Sequence, residues 1–175
     1  MSTLFTITNR LPITRYVLSA LLLGLFMASV ASAAPKVGDT FPQLANFGLE
    51  GKLPELKGKV VLIDFFASWC EPCKASFPVM QALHKDYAAK GLVILAVNVD
   101  EKASDMADFL KKHPADFAIV RDAQHKLVSE VKIKSMPSSF LLDAQGKIVA
   151  VHAGFKGEET RKKYVSEIEG LLNAK

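Results

Sequence analysis

Two cysteines separated by two residues are the part of this sequence best suited to chemistry. Cys70 and Cys73 lie in the stretch FASWCEPCKASFP and are the only cysteines among 175 residues. Such a pair can form a structural disulfide, hold a metal ion, or cycle between dithiol and disulfide. A bond between them closes a very short loop and so restricts the unfolded chain little. A purely structural disulfide is therefore the least favoured of these roles.

The residues after Cys70 predict a helix that begins at the pair. Apolar residues recur at helical spacing from Phe77 onward, Pro72 suits the first turn, and Gly91 is typical of a helix end. At the helix N-terminus, the N–H groups and the helix dipole favour a thiolate and lower its pKa below about 8.5. We therefore predict that Cys70 is the nucleophile and Cys73 the resolving thiol.

The two residues between the cysteines are predicted to adjust the pKa of Cys70. Pro72 fixes the start of the helix, and the carboxylate of Glu71 opposes a second negative charge beside it. A less stabilised thiolate makes the dithiol form less favoured. The sequence thus favours a reductant of disulfides, with a dithiol oxidant as the nearest alternative.

An acidic residue interrupts the apolar strand that precedes the cysteines. Asp64 lies in VVLIDFF, six residues before Cys70, and buried carboxylates are rare without a specific role. We predict that burial raises the pKa of Asp64 and that it exchanges a proton with Cys73. The structural alternative is an ion pair with a lysine such as Lys59 or Lys74.

The elements that must position these residues alternate along the chain. Apolar runs and turn signals predict strands at 60–66, 92–99, 116–120, 138–143 and 148–154, and helices at about 72–90, 103–112, 123–130 and 158–172. This order predicts an α/β fold with a central mixed β-sheet flanked by helices. The Gly- and Pro-containing lead-in predicts an N-terminal hairpin around Glu50 and Gly51.

The first 33 residues differ from the rest. Arg10 and Arg15 precede an uncharged apolar run, 16–30, and small residues follow at Ala31 and Ala33. This pattern predicts a signal peptide, 1–33, cleaved after Ala33, and a single exported domain, 34–175, in the periplasm. An uncleaved membrane anchor is the alternative, although the run is shorter than the roughly 20 residues of a spanning helix.

The net charge of the chain and its predicted export limit the kinds of partner that it can have. The predicted signal peptide carries two arginines and no acidic residue, so its removal lowers the net charge from +4 to +2. A nearly neutral chain without a basic cluster is not typical of a nucleic-acid-binding protein, and we expect no such partner. In an oxidising compartment disulfides persist unless a reductant acts on them.

The sequence resembles the thioredoxin superfamily, and specifically its exported TlpA/ResA-like branch. The resemblance rests on VVLIDFFASWCEPCK and on the later SMPSSFLLDAQGKIV, and it extends from about Val37 to Leu172. It implies a thioredoxin fold with an inserted strand and helix at about residues 92–115. It also implies thiol-disulfide exchange on proteins, with a possible place in cytochrome c maturation.

The same resemblance implies several site residues and partners. Pro137 is expected opposite the cysteines after a cis peptide bond, with the Met136 backbone and Trp69 contacting the substrate. The expected partners are protein dithiols or disulfides and a membrane-embedded electron donor, with the protein a monomer. No metal or cofactor is expected beyond the Cys70–Cys73 disulfide.

Two positions depart from the ResA-like pattern. A glutamate is common three residues after the second cysteine, where this chain has Ser76. The strand acid is uncommon in that branch, whereas Asp64 matches the buried aspartate of thioredoxin itself. General dithiol reduction is thus a firmer expectation than a role in cytochrome c maturation.

Two other functions use the same residues. Two thiolates suit Cu(I), so copper binding and delivery is an alternative, whereas structural zinc needs four ligands. The histidines, His84, His113, His125 and His152, are scattered among different predicted elements. A peroxidase is less favoured, because Ser68-Trp69-Cys70 lacks the proline of peroxidase loops.

Overall fold

A computed structural model describes residues 33–174, so the predicted signal peptide lies outside the described residues except for Ala33. The strands are β1 (Val60–Phe66), β2 (Leu92–Asn98), β3 (Ala118–Arg121), β4 (Ser138–Leu142) and β5 (Ile148–Ala153). The helices are α1 (Glu71–Tyr87), α2 (Ala103–Lys112), α3 (Lys126–Val131) and α4 (Glu158–Asn173). Every strand and helix predicted after residue 58 is present. Between residues 33 and 174, no helix combines the length and apolarity needed to cross a membrane.

The strands form one mixed sheet in the order β3-β2-β1-β4-β5. The pairs β1–β2 and β2–β3 are parallel, whereas β1–β4 and β4–β5 are antiparallel. Strand β1 lies at the centre, and all seven of its residues are buried. This agrees with its continuous apolar run, because a strand covered on both faces shows no polar alternation. The predicted mixed sheet is confirmed.

The alternation of β1 assigns its side chains to two faces. Phe66 packs on Phe77 of α1 and on Phe109 of α2, with ring centroids 4.9 and 5.3 Å away. Helix α4 lies on that same face, since Tyr87 of α1 donates a 2.7 Å hydrogen bond to a Glu169 carboxylate oxygen. Asp64 shares this face with Phe66, because strand side chains two residues apart point the same way.

The predicted N-terminal hairpin around Glu50 and Gly51 is wrong. Residues 44–47 form a 3₁₀ helix, and the flanking residues bridge to other parts of the sheet, Thr40 to Lys147 and Glu50 to Arg121. The Arg121 guanidinium also binds the Glu50 carboxylate at 2.7 Å. The lead-in therefore covers the outer strand β3 and the β4–β5 turn, where its backbone groups and charge find partners that self-pairing would not supply.

Candidate active site

The cysteine pair forms a disulfide at the N-terminus of α1. Cys70 is the N-cap residue, with extended backbone angles (φ −87°, ψ 104°), and Cys73 lies in the first turn. The Cys73 backbone N–H donates a hydrogen bond to Cys70 Sγ over 3.2 Å. Pro72 occupies the first turn, where its missing N–H leaves no helical carbonyl unpaired. The Cys70 sulfur is therefore held where the helix N–H groups favour negative charge.

The two sulfur-bearing residues differ in access. Cys73 is fully buried, and Cys70 is 4% exposed at the edge of an open groove of about 460 Å³. Trp69 is 69% exposed and lines this groove together with Met136. An incoming sulfur atom can thus approach Cys70 along the groove, whereas Cys73 is shielded. The wall opposite the helix comes from the segment 133–136.

The segment before β4 carries the predicted proline. The Met136–Pro137 peptide bond is cis, and the Pro137 carbonyl accepts a 2.7 Å hydrogen bond from the Gly154 N–H. Pro137 is buried, while Met136 is partly buried and lines the groove beside Cys70. Within residues 33–174, the backbone N–H and C=O of Met136 make no hydrogen bond. They are available to an extended peptide placed along the groove.

A carboxylate that the sequence analysis did not single out holds the loop before the helix. Asp100 accepts hydrogen bonds from the Ser68 N–H at 3.0 and 3.1 Å, from the Ser68 hydroxyl at 3.0 Å, and from the Asn98 side-chain amide at 2.8 Å. Asp100 could have been identified from the sequence as one of the polar residues that directly follow the apolar strand β2. The carboxyl ends of neighbouring parallel strands meet at one edge, where α/β proteins place their sites.

Glu71 forms an ion pair along the helix surface. Its carboxylate lies 2.7 Å from the Lys74 ammonium, and its side chain is 82% exposed. The hydrogen bond from Lys74, and then the charge of Lys74, lower the pKa of Glu71. Glu71 is therefore ionised at neutral pH beside Cys70. The positive charge of Lys74 cancels part of the electrostatic effect of the Glu71 carboxylate on Cys70.

Replacing Glu71 with glutamine is expected to lower the pKa of the reduced Cys70 by less than about one pH unit, because exposed charges interact weakly in water. The pH dependence of iodoacetamide alkylation of the reduced protein measures this. The matched variant Lys74→Gln removes the neighbouring cation and is expected to move the pKa upward. Shifts of the same sign in both variants would contradict an electrostatic role for Glu71.

Asp64 is 1% exposed, and its Oδ2 atom has no hydrogen-bond partner within the described residues. Burial raises its pKa well above the usual value for an aspartate. The alternative of an ion pair with a lysine is wrong, since Lys74 binds Glu71 and Lys59 is exposed. Its neighbours across the sheet are Ala96 of β2 and Ser139 of β4.

The position where ResA-like chains often have a glutamate is buried in α1. The Ser76 hydroxyl donates a 2.9 Å hydrogen bond to the Cys73 carbonyl, one turn earlier. Its side chain is satisfied within the helix, and it adds no charge beside the disulfide. Because Ser76 replaces that glutamate, Asp64 has no second carboxylate beside it from this position of α1.

No cluster of three or more metal-ligating side chains occurs among residues 33–174. The four histidines are dispersed. His125 and His152 bond the Val99 carbonyl and the Glu167 carboxylate, and His84 and His113 pack against phenylalanine rings. The buried Nδ1 of His84 has no hydrogen-bond partner within that same range.

The family match and the most similar known proteins all point to thiol-disulfide oxidoreductases. The Redoxin family profile matches residues 32–172. The thiol-disulfide oxidoreductase ResA of Bacillus subtilis (strain 168) is 35% identical over 130 residues, which cover 71% of this chain and 73% of that protein. ResA of Bacillus anthracis is 32% identical over 136 residues, covering 76% and 79% of the two chains.

Solved structures agree with these sequence relatives. A chain assigned as the thiol:disulfide interchange protein DsbE of Chlorobium tepidum superposes with a TM-score of 0.73 at 37% identity, covering 79% of this chain and 99% of that one. StoA of Bacillus subtilis gives a TM-score of 0.55 at 29% identity, covering 62% and 84%. The thioredoxin-like fold expected from the resemblance is confirmed.

Proposed function

Because the chain belongs to the redoxin family and is a ResA-like thiol-disulfide oxidoreductase, we propose that it reduces disulfides of exported proteins through Cys70 and Cys73. The observation that carries this proposal is the Cys70–Cys73 disulfide at a helix N-terminus, with Cys70 at the edge of the groove and Cys73 buried behind it. This asymmetry suits one attacking and one resolving sulfur.

The reaction starts from the dithiol. The Cys70 thiolate attacks one sulfur of the substrate disulfide, and the other substrate sulfur leaves as a thiolate that takes a proton from solvent. Cys73 then passes its proton to the Asp64 carboxylate and attacks the Cys70 sulfur. The mixed disulfide breaks, the second substrate sulfur leaves as a thiolate, and the Cys70–Cys73 bond forms. Two electrons have passed from the dithiol to the substrate.

The groove provides the substrate contacts. An extended segment of the substrate pairs with the backbone N–H and C=O of Met136, which precedes the cis-Pro137 bond. The exposed Trp69 ring packs against the substrate's apolar side chains. Backbone pairing fixes the substrate's position without reading much of its sequence.

Two features of the site support the reductive direction. Glu71 is an ionised carboxylate next to Cys70. Asp64 adds an acid on the same side of the sheet, and no cation within the described residues binds it. Each limits the stabilisation of the Cys70 thiolate. A dithiol that is less stabilised gives up its electrons more readily.

The setting of the reaction follows from the N-terminal pattern. Residues 1–33 act as a signal peptide cleaved after Ala33, and residues 34–175 act in the periplasm as a monomer. In that oxidising compartment the Cys70–Cys73 disulfide must be reduced again after each turnover. A membrane-embedded dithiol protein donates the electrons. No metal or further cofactor takes part.

Two measurements on the purified protein test this function. We expect a reduction potential closer to the about −270 mV of thioredoxin than to the about −120 mV of the strong oxidant DsbA. We also expect the pH dependence of alkylation to show one reactive thiol, Cys70, with a pKa below about 8.5. A potential near the DsbA value would reverse the proposed direction. Two thiols that react as slowly as those of an unfolded peptide would remove the basis for exchange.

A further inference from the structure

A row of polar side chains crosses the sheet beneath the C-terminal helix. Asp64 of β1 lies directly opposite Ser139 of β4, and Ser139 lies opposite His152 of β5. Residues directly opposite in antiparallel strands share a face. The three side chains therefore lie side by side on the face that α1 and α4 cover, within a layer that is otherwise largely apolar.

Helix α4 contributes a tyrosine to this row. The hydroxyl oxygens of Tyr164 and Ser139 are 2.6 Å apart, and both residues are buried. The Tyr164 ring packs edge-on against the His152 ring at 4.9 Å, and the His152 Nε2 atom lies 2.7 Å from a Glu167 carboxylate oxygen. The row thus runs from Asp64 in the core to a partly exposed contact between His152 and Glu167.

The hydroxyls of Ser139 and Tyr164 together carry one more hydrogen than the bond between them requires. Each hydroxyl carries one hydrogen, and only one of the two is consumed in the bond between Ser139 and Tyr164. The other hydrogen has no acceptor in that bond. Among residues 33–174, the buried carboxylate oxygen that lacks a donor is Asp64 Oδ2, and no hydrogen bond joins it to Ser139 or Tyr164 in this structure. Directly opposite residues have Cβ atoms about 4.5–5.5 Å apart, within reach of a carboxylate and a serine hydroxyl.

We propose that Ser139 and Tyr164 act as positioning residues for the reaction: once Asp64 is ionised to receive the proton of Cys73, the spare hydroxyl hydrogen of the pair turns to its carboxylate and donates a hydrogen bond that the oxidised structure does not contain. No bond other than O–H and S–H changes in this step, and the proton lost by Cys73 is the one gained by Asp64. The inference deepens the proposed function and rests on the role given there to Asp64.

The charged and titratable groups around the row are consistent with this role. Burial, and after it the charge of Asp64, raise the pKa of Tyr164, so its hydroxyl remains a donor throughout the working range. On the same face, α4 also presents Glu167 and Glu169, α1 presents Tyr87 and Cys73, and β5 presents His152. None of the ion pairs within the described chain gives Asp64 a cation.

The test is a pH profile of the resolving step. The mixed disulfide is formed on Cys70 with a small aromatic thiol, and its release by Cys73 is followed in a single turnover. The rate should rise with pH as Asp64 ionises. The pH at which the rate is half its maximum is the midpoint of the profile. Tyr164→Phe keeps the ring but removes the hydroxyl, and it should move this midpoint upward by about one pH unit. Below the midpoint, release should then be about tenfold slower.

A matched control removes a hydroxyl elsewhere on the same face. Tyr87→Phe deletes the bond to Glu169 between α1 and α4, and it should leave the midpoint unchanged. Ser139→Ala should shift the midpoint in the same direction as Tyr164→Phe. The double variant should shift it by less than the sum, because the two hydroxyls act as one unit. An equal shift in Tyr87→Phe, or full additivity, would overturn the proposal.

The variant Asp64→Asn separates this inference from the proposed function. In that background the Asp64 midpoint should be absent, leaving only the ionisation of the Cys73 thiol at higher pH, and Tyr164→Phe should have no further effect on the profile. If Asp64→Asn abolishes the midpoint but Tyr164→Phe does not move it in the parent, the positioning role is wrong and the proposed function stands. If Asp64→Asn leaves the midpoint in place, the role of Asp64 and this inference both fail.

Discussion

Replacing Cys73 with serine is expected to abolish turnover and to leave Cys70 joined to its substrate in a mixed disulfide. A serine hydroxyl cannot displace the Cys70 sulfur, so the second half of the exchange stops and catalysis should fall by on the order of 10³-fold or more. The adduct should accumulate because Cys70 still lies at the groove edge. Mass spectrometry after non-reducing separation of a periplasmic extract would identify the attached protein.

The paired variant Cys70→Ser is the control for this trap. Its remaining thiol is the fully buried Cys73, so no adduct should form. Adducts of equal amount on both variants would show that the buried sulfur is accessible, and the division of labour between the two thiols would then be wrong. A Cys73→Ser protein that turns over as fast as the parent would contradict it as well.

Replacing Asp64 with asparagine is expected to slow the attack by Cys73 by about 10²-fold at neutral pH. The carboxylate is the proposed acceptor of the Cys73 proton, and a positioned general base contributes about 10²–10⁴-fold. Single-turnover release from the mixed disulfide measures this step apart from substrate binding. An unchanged release rate would remove Asp64 from the mechanism.

The same substitution should also stabilise the oxidised protein at neutral pH. Because burial raises the pKa of Asp64, the folded state holds this proton more tightly than the unfolded chain. The parent therefore loses stability as pH rises from about 3.9, the unfolded value, through the raised folded value. Asp64→Asn lacks this loss and should be more stable than the parent at neutral pH.

Urea unfolding at a series of pH values measures the difference. The gain should grow from acidic to neutral pH and should be absent near pH 3, where Asp64 is protonated in both states. The control Asp86→Asn removes a carboxylate from the exposed side of α1 and should change stability little at any pH. A constant difference across pH would show that Asp64 is not the titrating group.

The fold was largely readable from the sequence because its signals are local. The run VVLIDFF predicts β1 at residues 60–66, and the structure has the strand at Val60–Phe66. Helix α2 was likewise predicted at 103–112, where its apolar spacing and Pro114 define it. The N-terminal hairpin failed for the opposite reason. Its turn signals are real, but the partners of Thr40 and Glu50 lie in distant strands that no local pattern identifies.

The cysteine pair and its place at the start of a helix could be read from the sequence alone, because Cys70, Pro72 and Cys73 lie within one turn. The sequence also indicated that Asp64 is buried, since a seven-residue apolar run has no solvent face. The surroundings of Asp64, in contrast, come from segments that are far apart in the chain. Strand register brings Ser139 opposite it and helix packing adds the Tyr164 hydroxyl. A shift of one residue in that register would turn Ser139 to the other face, so no local pattern could specify the contact.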